Sequence, residues 1–147
     1  MALTSNYFRA RKKAGIRRHG WERPKEDYVK LNVDASFLAD EGRGSTGAFI
    51  RDHQGVFLAG SCYGIENISD APSAEAWALK DGLLLAGELG CSRLIVNSDC
   101  MDVVQTMQDR GNSIGPAAAL YEECTFLARG FTHVIFEHSP SCHDGFS

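Results

Sequence analysis

The stretch VKLNVDASF, residues 29–37, decides how this chain is read. Val29, Leu31 and Val33 alternate with Lys30, Asn32 and Asp34. That is the period-2 pattern of a strand with one face in a core and the other toward water. Asp34 stands on the face opposite the three aliphatic side chains, near the middle or end of the strand. A carboxylate on an otherwise apolar strand is costly unless something compensates it. Asp34 is therefore the first candidate for chemistry.

Reading outward, Gly42–Gly47 is a turn-rich break. Ala48–Asp52 and Val56–Tyr63 read as second and third strands, joined by the hairpin turn Asp52-His53-Gln54-Gly55. Ser73–Gly90 reads as a helix with Ser73 as N-cap and Glu75 in the first turn. Its leucines (Leu79, Leu83, Leu84, Leu85 and Leu89) surround most of the circumference, which predicts deep burial. Arg93–Ser98 is a mostly apolar fourth strand suited to a sheet interior, and Asp99 ends it. Helices follow over Met101–Arg110 and Pro116–Arg129, then a fifth strand over Thr132–His138. The order βββαβααβ predicts an α/β domain with a five-stranded mixed sheet, three antiparallel strands then two parallel ones, flanked by helices.

A length of 147 residues fits one domain. The composition is that of a soluble globular chain, with no apolar run long enough to span a membrane. The formal net charge of −4 hides an asymmetry. Residues 1–30 carry nine basic and three acidic side chains, leaving the remainder strongly acidic. The cluster Arg9, Arg11, Lys12, Lys13, Arg17 and Arg18 lies in a segment without apolar periodicity. Residues 1–27 are accordingly read as a basic, disordered tail and lead-in, and 28–147 as the domain. The tail fits a phosphate-clamping arm or nuclear address, an organellar transit peptide, or a solvated end with no role. Five widely spaced cysteines without a C-x-x-C pair argue for a reducing compartment, nucleus or cytoplasm, and against a zinc site.

Three acids stand out by position: Asp34, Glu75 in the long helix, and Asp99. A hard divalent cation is their natural compensator, since Mg²⁺ takes oxygen ligands from one or two carboxylates plus substrate phosphates. Read from spacing alone, surface acids and caps are the better reading. Ser36 and Asn97 flank the acids and are candidates for substrate contact.

The segments VKLNVDASF, GSTGAFIRDHQG, SAEAWALKDGLLLAGELG, RLIVNSDCMDVVQTM and FTHVIFEHSP, in this order, resemble the ribonuclease H-like domain of plant retroelements and their domesticated relatives, often called reverse-transcriptase-like. The resemblance covers about residues 21–143. It implies that Asp34 in NVDAS, Glu75 in SAEAWAL and Asp99 in NSDC are the catalytic, metal-holding acids. It also implies two Mg²⁺ (or Mn²⁺) ions and hydrolysis of the RNA strand of an RNA/DNA hybrid by a monomeric endonuclease.

The family carries a fourth ligand on a helix after the last strand, in a pattern that His138-Ser139-Pro140-Ser141-Cys142-His143-Asp144 begins. Depending on the alignment, Asp144 or His143 takes the pattern's Asn position, and the ligand position falls beyond the chain or on Ser147. The terminal helix is expected to be missing and hydrolysis to be weak or absent. The alternative is a catalytically inactive nucleic-acid-binding or interaction module of retroelement origin. Cations for gripping a hybrid are sparse: Asp109–Glu123 contains Arg110 alone.

Overall fold

The computed structural model describes residues 28–139, together with the backbone of residues 3–9. The elements are β1 (Leu3–Arg9), β2 (Val29–Leu38), β3 (Arg43–Arg51), β4 (Phe57–Glu66), α1 (Ala71–Glu88), β5 (Arg93–Ser98), α2 (Met101–Gln108), α3 (Ala118–Ala128) and β6 (His133–His138). The sheet order is β1-β4-β3-β2-β5-β6. Strands β2, β3 and β4 pair antiparallel, and β5 joins β2, then β6 joins β5, in parallel. The five-stranded mixed sheet expected from the sequence is present.

One face of the sheet supplies the core. Leu31, Val33, Ala48, Ile50, Leu94 and Val96 share it and pack with Leu79, Leu83, Val103, Tyr121 and Cys124 from the three helices. All three helices therefore cover the same face. The leucine-rich run of α1 sits deepest, with Leu79, Leu83 and Leu85 buried. Leu84 is exposed and completes the turn on the solvent side.

Boundaries differ from the sequence reading for local reasons; helix α3, for one, runs over Ala118–Ala128 instead of Pro116–Arg129, and β4 continues to Glu66. The Gly42–Gly47 break is mostly strand: a single short turn over Ala39–Glu41 ends at Gly42 in the left-handed conformation, and β3 begins at Arg43. A Cβ at Gly44 would lie 2.2 Å from the Ser36 carbonyl oxygen, so that glycine permits a close approach of β2 and β3. The long helix begins at Ala71, because the Asp70 carboxylate accepts from the Ser73 N–H at 2.9 Å and Pro72 occupies the opening turn. Helix α2 stops at Gln108, two residues early, where Arg110 turns left-handed (φ 61°). Lastly, Leu3–Arg9 forms a sixth strand, antiparallel to β4, inside the segment expected to lack regular structure. Its sequence LTSNYFR shows no apolar alternation, because it satisfies the edge of β4 through backbone hydrogen bonds. Arg11, Lys12, Lys13, Arg17 and Arg18, and the pattern after Ser139 with His143, Asp144 and Ser147, lie outside the described residues.

Candidate active site

The parallel ladder between β2 and β5 ends with Val33 opposite Ser98. Asp34 is the next residue of β2, and Asp99 is the first residue after β5. The turn that carries Asp99 is held by Ser98, whose hydroxyl accepts from the Cys100 N–H at 3.0 Å. The first strand's acid is oriented locally too, as Asp34 Oδ1 accepts from the Ala35 N–H at 2.9 Å. Glu75 lies one turn into α1, past the Asp70 cap, rather than in the first turn.

These three carboxylates act on one another. Partial burial pushes the Glu75 carboxyl up to about 7, and the charges of Asp99 and Asp34 push in the same direction. Asp34 is raised by burial and by Asp99, against the lowering effect of its Ala35 hydrogen bond. Like charges gathered at one end of two parallel strands are an arrangement that a cation relieves. Among the described residues, no three of His, Cys, Asp and Glu converge tightly enough to form a ready-made ion cradle. The acids thus form an electrostatic group whose donor chemistry suits a hard cation, without a closed ligand geometry.

The surroundings sort the other sequence candidates. Ser36 is exposed, and its hydroxyl shares a hydrogen bond with the Ser45 hydroxyl at 2.7 Å. Asn97 is 8% exposed, so it is a strand-interior side chain opposite Asn32 and Glu137. Arg9 ends β1, opposite Ala59 of β4. Cys100 precedes α2, a position that favours thiolate, yet burial pushes its thiol up and Glu75 adds to the shift. Gly47 was not singled out in the sequence. It stands directly opposite Asp34 on β3, and a Cβ there would meet nothing within 4 Å. The sheet is open beside the carboxylate at that point. Asp70 could have been found from its place two residues before Pro72.

A fourth acid was overlooked. Asp81 on α1 accepts from the Thr46 hydroxyl at 2.8 Å, and burial pushes its carboxyl up to about 6 from 3.8. A folded-state pKa above the unfolded one means that the native state holds the proton longer. Stability should therefore fall as pH rises from about 4 to 6, then level off. Asp81→Asn keeps an acceptor for Thr46 and removes the charge. It should gain about 1 kcal/mol at pH 7, a figure discounted for partial exposure, and nothing at pH 4. Thermal melts of both proteins across this range test it; parallel profiles would exclude Asp81 as the source.

A family model described as reverse transcriptase-like matches residues 32–141, which include all three acids. This chain belongs to that family. The Arabidopsis thaliana "Putative ribonuclease H protein" is 30% identical over 105 residues, covering 71% of this chain and 17% of that relative. The chain thus spans a small part of the curated relative it matches. Among solved structures, the N-terminal ribonuclease H domain of a Mycobacterium tuberculosis protein superposes with a TM-score of 0.73 at 24% identity, covering 82% of this chain and 88% of that one. Ribonuclease H1 of Halobacterium salinarum gives 0.68 at 18% identity, covering 80% and 89%. A ribonuclease H1 solved with an RNA/DNA hybrid gives 0.69 at 18%, covering 80% and 88%. At these identities the structures establish that this reverse transcriptase-like chain has the ribonuclease H fold.

Proposed function

We propose that this protein binds nucleic acid in the manner of a ribonuclease H and hydrolyses the RNA strand of an RNA/DNA hybrid. The observation that carries the reading is the shared field of three acids: burial, then the charges of Asp99 and Asp34, push the Glu75 carboxyl up to about 7. Asp34, Glu75 and Asp99 would hold Mg²⁺ or Mn²⁺, their hard oxygen donors matching a hard cation. When bound, a pair of such ions supplies a water nucleophile at neutral pH and stabilises charge on the leaving oxygen. The chain's own contribution is positional. The β2–β5 ladder ends one residue before each aspartate, α1 carries Glu75 within the field of both, and the open space at Gly47 would admit a sugar–phosphate backbone to Asp34. The basic cluster from Arg9 to Arg18 would add phosphate contacts, which an otherwise acidic body needs.

A second reading, binding without cleavage, is favoured by the absence among the described residues of a converged three-ligand set. One assay separates them: a labelled hybrid incubated with the native chain and Mg²⁺ or Mn²⁺, beside a binding titration. Cleavage of the RNA strand supports the enzyme, and binding without cleavage supports the module. Neutralising Lys12 and Lys13 to glutamine tests the arm through the salt slope of binding, which should fall by about 2. Deleting residues 1–20 is less informative, because it also removes β1.

A further inference from the structure

A concavity lined by none of the three acids lies where the end of α2 meets α3. It is an open groove of about 430 Å³, within the range of small-ligand sites. Arg110, Asn112 and Ser113 line it from the α2–α3 loop, and Glu122, Phe126 and Arg129 from α3. Phe126 is 71% exposed, an aromatic ring left uncovered in a groove that two arginines also line. Among the described residues neither arginine has an ion-pair partner.

The bland explanation for the arginines is helix capping, since both stand at helix C-termini, where cations oppose the dipole. The hydrogen bonds weaken it. Backbone N–H groups of the following turns already serve these ends: Arg110 N–H donates to Met107, Gly111 N–H to Thr106, Arg129 N–H to Thr125 and Gly130 N–H to Leu127. The backbone at Arg110 points the same way. This residue holds a left-handed φ of 61°, where glycine or asparagine costs less. Gly111 follows at φ 75°, with the Thr125 hydroxyl 2.2 Å from where its Cβ would be. The turn is thus pinned against α3. A long cationic side chain sits in a conformation it disfavours, on the wall of a groove, which is a pattern of functional sites.

We propose that this groove binds one phosphorylated nucleotide of an unpaired nucleic-acid strand, its phosphate on Arg110 and Arg129 and its base stacked on Phe126. The inference rests on the nucleic-acid reading above and adds a site to it. Guanidinium groups match phosphate geometry and stay charged. Aromatic faces accept any base, so the contact is sequence-tolerant. Asn112 and Ser113 offer hydrogen bonds to base or sugar edges. Helix α2, eight residues long, spans about 12 Å between the turn of Asp99 and that of Arg110. A strand passing the carboxylates would reach the groove about three to four nucleotides away at duplex rise.

The test is fluorescence anisotropy with a labelled single-stranded 12-nucleotide RNA, without metal, so that loss of hybrid cleavage in the native chain leaves the result readable. Arg110→Gly relieves the left-handed strain and removes the cation, so weaker binding cannot be blamed on unfolding. It should weaken binding about fivefold and lower the salt slope by about one. Phe126→Ala should weaken binding five- to tenfold with the slope unchanged. Thermal midpoints should stay level or rise for Arg110→Gly. Affinity and slope unchanged in both variants overturn the proposal. So does an acidic, apolar peptide outcompeting the RNA, which would assign the groove and the exposed Ile114 beside it to a protein partner.

Discussion

Asparagine at Asp34 or at Asp99 is expected to abolish metal-dependent cleavage of an RNA/DNA hybrid while the fold survives. Removing an outer-shell partner of a metal ligand typically costs ten- to a hundredfold in affinity or activity. Removing a ligand itself should cost more than about a hundredfold. The electrostatics give a readout that does not depend on activity. Glu75 is pushed up to about 7 by burial first and by Asp99 and Asp34 next. Deleting either charge should lower the Glu75 pKa and leave the burial part in place. The Asp99 variant should lower it more, because Asp99 is the larger of the two charge effects. A carbon-detected NMR titration of the Glu75 carboxyl measures this directly. The same substitutions relieve like-charge repulsion, so thermal midpoints at pH 7 should hold or rise. An Asp34→Asn protein that cleaves like the parent removes the metal-site reading. An unchanged Glu75 pKa in both variants shows that the three acids do not share a field.

The parts of this fold legible in the sequence were those with strong periodicity. The alternation of Val29, Leu31 and Val33 located β2, and RLIVNS matched β5 residue for residue. Asp34 and Asp99 were visible as acids terminating or interrupting apolar strands. Their adjacency was not, because it depends on the β2–β5 register, a long-range property that no local pattern encodes. Glycines misled where they mark close approach instead of a turn, as at Gly44. Leu3–Arg9 was illegible because an edge strand held by its ladder needs no apolar face. Arg110 looked like an isolated cation in Asp109–Glu123. Only the packing of α3 against the loop sets Arg129 and Phe126 around the same groove. Asp81 drew no reading from the sequence, because only the packing of α1 against the sheet brings Thr46 of β3 to it.

Valine at Gly82 should destabilise the domain more than any single surface change. Glycine in a helix interior normally weakens the helix by about 1 kcal/mol relative to alanine, and Gly82 sits within the leucine-rich run of α1. Packing explains its presence. A Cβ there would lie 2.6 Å from Val33 Cγ1 and 3.1 Å from both Leu31 Cδ atoms. Val33 is β-branched and stiff at χ1, and Leu31 is fully buried, so neither has room to yield. For Gly82→Ala the propensity gain of about 1 kcal/mol opposes an overpacking cost of about 1–3 kcal/mol. The balance is a modest loss. For Gly82→Val the gain shrinks and two further methyl groups enter the same contact, so the loss should reach about 3 kcal/mol or more. That is a large share of the stability of a domain this size. The consequence reaches the site, since Val33 immediately precedes Asp34 and pairs with Ser98. Any shift of β2 away from α1 therefore moves Asp34 relative to Glu75. Urea unfolding should rank the parent above Gly82→Ala and that above Gly82→Val. The alanine variant, still folded, should lose hybrid cleavage out of proportion to its stability. A valine variant as stable as the parent would mean that α1 and β2 are not in the tight contact seen at Gly82.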